Sequence, residues 1–214
     1  MESNERHLEH LAEIRAMMER STRFISLSGL SGVWAGVCAL AGAAAVYAYL
    51  ELGPFTSRIT YYERAMAVDK WGMGYKMFFI TVGICTLLAA LAGGLFFTGR
   101  KARSKGLRMW DAGARRLLWS LAVPLFSGGV FCLAMLYWGL PGLVAPATLV
   151  FYGLALVNGS KYTLGDVGVL GMLEIALGLT GLFFLGKGLE LWALGFGALH
   201  ILYGIRMYYK YDRS

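Results

Sequence analysis

Two consecutive stretches share one pattern, an ionisable residue framed by glycines: Gly171-x-x-Glu174-x-x-x-Gly178 and Gly197-x-x-His200-x-x-x-Gly204. At 3.6 residues per turn the framing glycines fall on the same helix face as the central residue. Each stretch lies in an apolar run long enough to cross a membrane, where a carboxylate or an imidazole is costly and normally has a partner. The turn between them, around Gly186 to Gly188, is 12 to 14 residues from each. With a rise of ~1.5 Å per residue, the two side chains should lie at similar depth on adjacent antiparallel helices. Glycine on both sides removes the bulk that would hold the helices apart, so Glu174 and His200 are expected in direct contact or bridged by one water. Such a pair can relay protons or hold a cation. It can equally be one buried hydrogen bond that fixes the register of a hairpin.

The other chemistries find no foothold. Haem or structural-metal binding needs more ligands than one embedded histidine, and Cys38, Cys85 and Cys132 fall singly in three apolar runs without ligand spacing. They read as small packing residues. Nothing resembles a phosphate-binding glycine loop, a nucleophile elbow or a zincin helix, so the expectation is a non-enzymatic protein without cofactor or metal. Nucleic-acid binding is not expected either, since no recognition module accompanies the positive charge.

The elements that must position the pair follow from composition. Of 214 residues, 57% are hydrophobic and 15% charged, against ~45–50% and ~25% in a soluble domain. From Met77 to Thr98, Leu117 to Asn158 and Val167 to Gly186 the only ionisable side chains are thiols, tyrosines and Glu174. A soluble core helix would carry charges on one face at every turn. The expected fold is an all-α polytopic bundle of six membrane spans in three hairpins, at about 24–50, 75–98, 117–139, 143–159, 167–186 and 189–208. Residues 1–23 read as a separate amphipathic helix, with Leu8, Leu11, Ile14, Met17 and Met18 in one stripe, so the expected organisation is 1–23 followed by a membrane domain over 24–214. Those first residues are too charged, and the run after them too long, for a cleavable leader.

The net charge of +7 reads as topology. With the N-terminus inside, 15 of the 20 Lys and Arg are cytoplasmic, and only Arg58, Arg64, Lys70, Lys76 and Lys187 lie outside. That asymmetry predicts an inner (plasma) membrane protein with both termini cytoplasmic. The basic segment from Arg100 to Arg116, with Asp111 as its one acid, can touch anionic lipid headgroups or simply enforce topology. In the 51–74 connection, Thr56 or Ser57 can cap a short surface helix through Lys70. Pro124 and Pro146 permit kinks in the third and fourth spans, and Asn158, Lys161 and Asp166 read as a polar turn.

Glycines also suggest association. Ser28, Gly32 and Gly36 make a small-xxx-small ridge on the first span, on which another helix backbone can approach closely within or between copies, giving a homo-oligomer. A weak repeat joins Tyr152-Gly153 to Tyr203-Gly204, each followed by a short run and Lys-Tyr.

The last hairpin, Leu170-Gly-Met-Leu-Glu-Ile-Ala-Leu-Gly-Leu through Ala198-Leu-His-Ile-Leu-Tyr-Gly-Ile, resembles the helical hairpins of HdeD-like membrane proteins. The resemblance rests on Gly171, Glu174, Gly178 and Gly204. It implies six spans in glycine-rich hairpins and a link to acid stress. The stretch from Met17 to Gly32 is also similar to uncharacterised bacterial integral membrane proteins, which implies no function. Two readings therefore stand at this point: a self-associating membrane protein related to membrane or acid stress, and a small channel or proton- or cation-coupled transporter working through Glu174 and His200.

Overall fold

The computed structural model describes residues 24, 27–54, 56–106 and 109–213; the amphipathic helix expected over 1–23 lies outside them. Six helices are long and apolar enough to cross a membrane: Gly29–Leu50, Tyr75–Ser104, Ala112–Tyr137, Pro141–Tyr162, Asp166–Phe183 and Gly188–Asp212. The chain is an all-α, multipass membrane protein. Its spans bury few residues because their outward faces are apolar and meet lipid rather than water. The second span is the extreme case, with burial confined to Thr98, Gly99, Lys101 and Ala102 at its end.

The spans fall into two groups of three. The second and sixth spans pack on the first, and the third and fifth pack on the fourth. Glycine sets most of these contacts. A Cβ at Gly36 would lie 2.6 Å from the Gly197 carbonyl, and one at Gly32 would lie 3.2 Å from Gly204 Cα. Gly153 and Gly171 touch reciprocally, each Cβ position falling 2.5–2.7 Å from the other's carbonyl oxygen. Gly178 abuts Pro146 and Val150 of the fourth span, Gly197 abuts Leu40 of the first, and Gly204 abuts Gly29 and Val33. The two Tyr-Gly copies thus do the same job, since Gly153 and Gly204 are each the point where two backbones meet.

These contacts redirect two expectations. The Ser28, Gly32 and Gly36 ridge is covered by the sixth span of the same chain, so it is not free to meet another copy. The glycines that flank Glu174 and His200 face the fourth and first spans, not each other. A small residue accepts any close neighbour, and the neighbour is chosen by how the whole bundle closes.

One face of the bundle is tied by charge. Asp212 accepts hydrogen bonds from Ser28 Oγ at 2.9 Å and from the Gly29 amide at 3.0 Å, capping the first span from the far end of the chain. Lys101 Nζ lies 2.7 Å from the same carboxylate, both side chains being 8% exposed, and donates to the Leu27 carbonyl at 2.7 Å. Lys101 therefore belongs to a buried ion pair, not to a basic loop. The second span runs on to Ser104, beyond where its hydropathy falls. Asp166 holds Lys210 at 2.7 Å and Arg206 at 3.5 Å nearby.

On the opposite face, Ser57 caps the surface helix Arg58–Ala67, accepting from the Thr60 amide. That helix stops short of Lys70. A two-residue antiparallel hairpin, Asp69–Lys70 with Met73–Gly74, takes over. Its turn residues Trp71 and Gly72 both have positive φ, the geometry of a tight hairpin turn. Glu51 joins this cap to the membrane domain through Lys70 and Arg64. The Lys70 hydrogen bond, then the two positive charges, hold its carboxyl below the usual carboxylate range.

Candidate functional site

The fifth span supplies Glu174, which is wholly inaccessible. It is the ninth of the eighteen residues Asp166–Phe183. His200 is the thirteenth of the twenty-five residues Gly188–Asp212, and Tyr152 the twelfth of the twenty-two residues Pro141–Tyr162. Three spans therefore bring three ionisable or hydroxyl-bearing side chains to the same middle level. Glu174 and Tyr152 come from one group of three helices and His200 from the other, so the cluster sits where the two groups meet.

Glu174 Oε1 is 3.3 Å from His200 Nδ1. That nitrogen is nearer the Gly195 carbonyl, at 3.0 Å. A carbonyl can only accept, so Nδ1 carries the proton and donates it there. On the other side of the ring, Nε2 and the Tyr152 hydroxyl are 2.8 Å apart. Phe196 stacks on the imidazole, with ring centres 5.8 Å apart and planes 19° apart, and Trp192 continues the column beyond it. Neither carboxylate oxygen of Glu174 has a hydrogen bond among the described residues.

The sixth span changes its winding to build this. Residues Ala193–Leu199 form a π-helical segment, with helix before it and His200 directly after it. In a π turn the residue five positions back, not four, comes alongside, and such segments recur at functional sites. Gly195 is that residue. A Cβ there would lie 2.6 Å from Leu149 Cδ2 and 3.2 Å from Glu174 Cδ, and closer still to Oε2. Gly195 therefore makes the space that the carboxylate occupies, a part that spacing alone had given to Gly171, Gly178, Gly197 and Gly204. The run Gly195-Phe-Gly197 was its sole sequence signal. Tyr152 was visible only as half of a Tyr-Gly repeat.

The geometry supports a specific proton chemistry. With Glu174 ionised and His200 protonated, both ring nitrogens donate, Nε2 to the Tyr152 oxygen. If the Nδ1 proton passes to Oε1, the result is a neutral acid and a neutral imidazole that still donates to Tyr152 through Nε2. In the other neutral tautomer, Nε2 accepts from the Tyr152 hydroxyl. A hydroxyl serves as donor or acceptor, so Tyr152 accommodates every state of the ring. The described residues contain no group of three or more metal-ligating side chains.

Comparison with known proteins brings no match: no family model, no curated protein and no solved structure corresponds to the chain.

Proposed function

We propose that this is a non-enzymatic membrane carrier that moves protons, or a solute coupled to them, by changing the protonation of Glu174 and His200. The observation that carries the reading is the state of Glu174: fully buried at mid-span, 3.3 Å from an imidazole, with both oxygens lacking hydrogen bonds among the described residues. A pair kept only for architecture gains little from such a carboxylate. Burying a charge costs several kcal/mol, and well-packed apolar residues commonly replace a buried pair at no loss. A group that must take up and release a proton cannot be replaced in that way.

The resemblance of the last hairpin to HdeD-like proteins supports a role under membrane or acid stress. The excess of Lys and Arg on the Asp212 face supports an inner (plasma) membrane location with both termini cytoplasmic. Arg100 and Arg103, exposed at the end of the second span, suit contact with anionic headgroups.

The test is proton flux into liposomes containing the purified protein under an imposed pH gradient, with several monovalent cations. Wild type should exceed empty liposomes, and Glu174→Gln should abolish the flux while the protein still folds. Full flux in Glu174→Gln, or none in wild type, would end the proposal.

Self-association is a second reading, now moved to a different surface. Gly83, Gly94 and Gly129 on the second and third spans have open space where a Cβ would go. Gly83 and Gly94 are three turns apart on one outward face. Native mass spectrometry in lipid should then show oligomers that Gly83→Leu disrupts, and a wild-type monomer would rule the reading out.

A further inference from the structure

On the Asp212 face, between the third and fourth spans, a cleft of about 620 Å³ is lined by Arg115, Arg116, Trp119, Ser120, Asn158 and Tyr162. It is some distance along both spans from the mid-level cluster, being near the start of Ala112–Tyr137 and the end of Pro141–Tyr162. Both guanidinium-bearing residues are exposed and have no acidic partner among the described residues. The nearest acid in sequence, Asp111, is engaged as the helix cap, accepting from the Ala114 amide at 2.6 Å. Ser120 is nine-tenths buried, and its hydroxyl has no hydrogen-bond partner among the described residues. A buried hydroxyl without a partner is costly. The Ser120 carbonyl, by contrast, is satisfied, because Asn158 Nδ2 donates to it at 2.9 Å. That bond fixes the wall of the cleft and leaves the Asn158 oxygen facing Lys161 at 3.5 Å.

Two guanidinium groups, one waiting hydroxyl and no carboxylate on the lining make a donor set for a phosphate group. The position selects the source. Leu118 and Trp119, 51% and 73% exposed, adjoin the cleft on the outward surface of a membrane span. A molecule held there by its phosphate can lay an acyl chain along them. We propose that this cleft binds the phosphate headgroup of an anionic phospholipid, seated on Arg115 and Arg116 with Ser120 donating to a phosphate oxygen.

The experiment titrates the purified full-length protein in detergent with short-chain phosphatidylglycerol, phosphatidylcholine or inorganic phosphate, read by thermophoresis. Phosphatidylglycerol should bind most tightly. The double variant R115Q/R116Q should weaken it about twenty-five-fold, each basic residue near a membrane surface being worth about fivefold. Ser120→Ala, which removes one hydroxyl and tests the site even if the double variant folds poorly, should weaken binding about threefold. The control R58Q/K76Q, at exposed residues on the opposite face, should change it by less than about twofold. An equal loss in that control would show diffuse surface charge and overturn the proposal. So would inorganic phosphate competing at the same concentration as the lipid, or unchanged binding in Ser120→Ala.

Discussion

Gly195→Ala tests the core of the site with a single methyl group. Its Cβ would stand 2.6 Å from Leu149 Cδ2 and 3.2 Å from Glu174 Cδ, and nearer still to Oε2. Carbon atoms at rest sit about 3.5–4.0 Å apart, so Leu149 must retreat by about 1 Å and the carboxylate must swing aside. Neither has room, since Leu149 and Glu174 are both wholly buried. Overpacking of this kind costs ~1–3 kcal/mol. The control is Gly83→Ala, where a Cβ meets nothing within 4 Å. Both changes gain the helix preference of alanine over glycine, so the difference between them isolates the clash.

Thermal unfolding in detergent, followed with a thiol-reactive dye, should place Gly195→Ala several degrees below Gly83→Ala, at ~2–4 °C per kcal/mol for a chain of this length. The same substitution made on Glu174→Ala should cost less by ~1 kcal/mol, because half of the obstacle is gone and contacting residues couple. In the flux assay, Gly195→Ala should lower transport by moving Oε1 away from His200. Equal melting of the two glycine variants, or additivity with Glu174→Ala, would refute the assignment of Gly195.

Lys101→Met should destabilise the protein by ~3–5 kcal/mol in an SDS titration, because it strands the buried Asp212 carboxylate; Lys210→Met, whose side chain is half exposed, should leave the same titration nearly unchanged. For Glu51, the folded carboxyl is held below its ordinary range by Lys70 and then Arg64, so its contribution is present above the ordinary carboxylate range and lost as pH falls through the folded value. Protection of the amides in residues 56–74, taken relative to their intrinsic exchange rates at each pH, should accordingly fall in acid, and Glu51→Gln should remove that pH dependence; an unchanged acid response in the variant would dismiss Glu51 as its source. Single cysteines at Ser57 and Ser104 should label from opposite sides of the membrane, and labelling from one side would overturn the arrangement of the first two spans.

The spans themselves were legible because a bilayer imposes a length and a polarity that few other environments require. The same rule exposed Glu174 and His200 as exceptions inside apolar runs. What spacing could not supply was the identity of neighbours. Gly171 and Gly178 fit a fifth–sixth contact as well as the fourth–fifth contact they make, since removing a side chain permits approach without choosing the partner. Lys101 looked like a loop residue because hydropathy records where lipid ends, not where a helix ends. Gly195 was hidden for a subtler reason. Face assignments at 3.6 residues per turn put the residues three and four back, Gly197 and Phe196, beside His200, and the π segment brings the residue five back, Gly195, alongside instead of the one four back.

Where the cluster sits bears on what it can do. Where the first and sixth spans meet, and where the fourth and fifth meet, contacts run backbone to backbone, through Gly32, Gly36 and Gly204 in one case and through Gly153 and Gly171 in the other. Such contacts leave little freedom, because nothing soft separates the two helices. Between the groups, side chains do the joining: Tyr152 packs on Phe196 at 4.8 Å between ring centres, and Glu174 reaches His200. Charge on either partner changes how well that seam is satisfied, since the imidazolium–carboxylate form attracts across it and the neutral form does not. The carrier we propose places Glu174 and His200 at this side-chain seam, whereas a purely architectural pair would stand equally well inside either group.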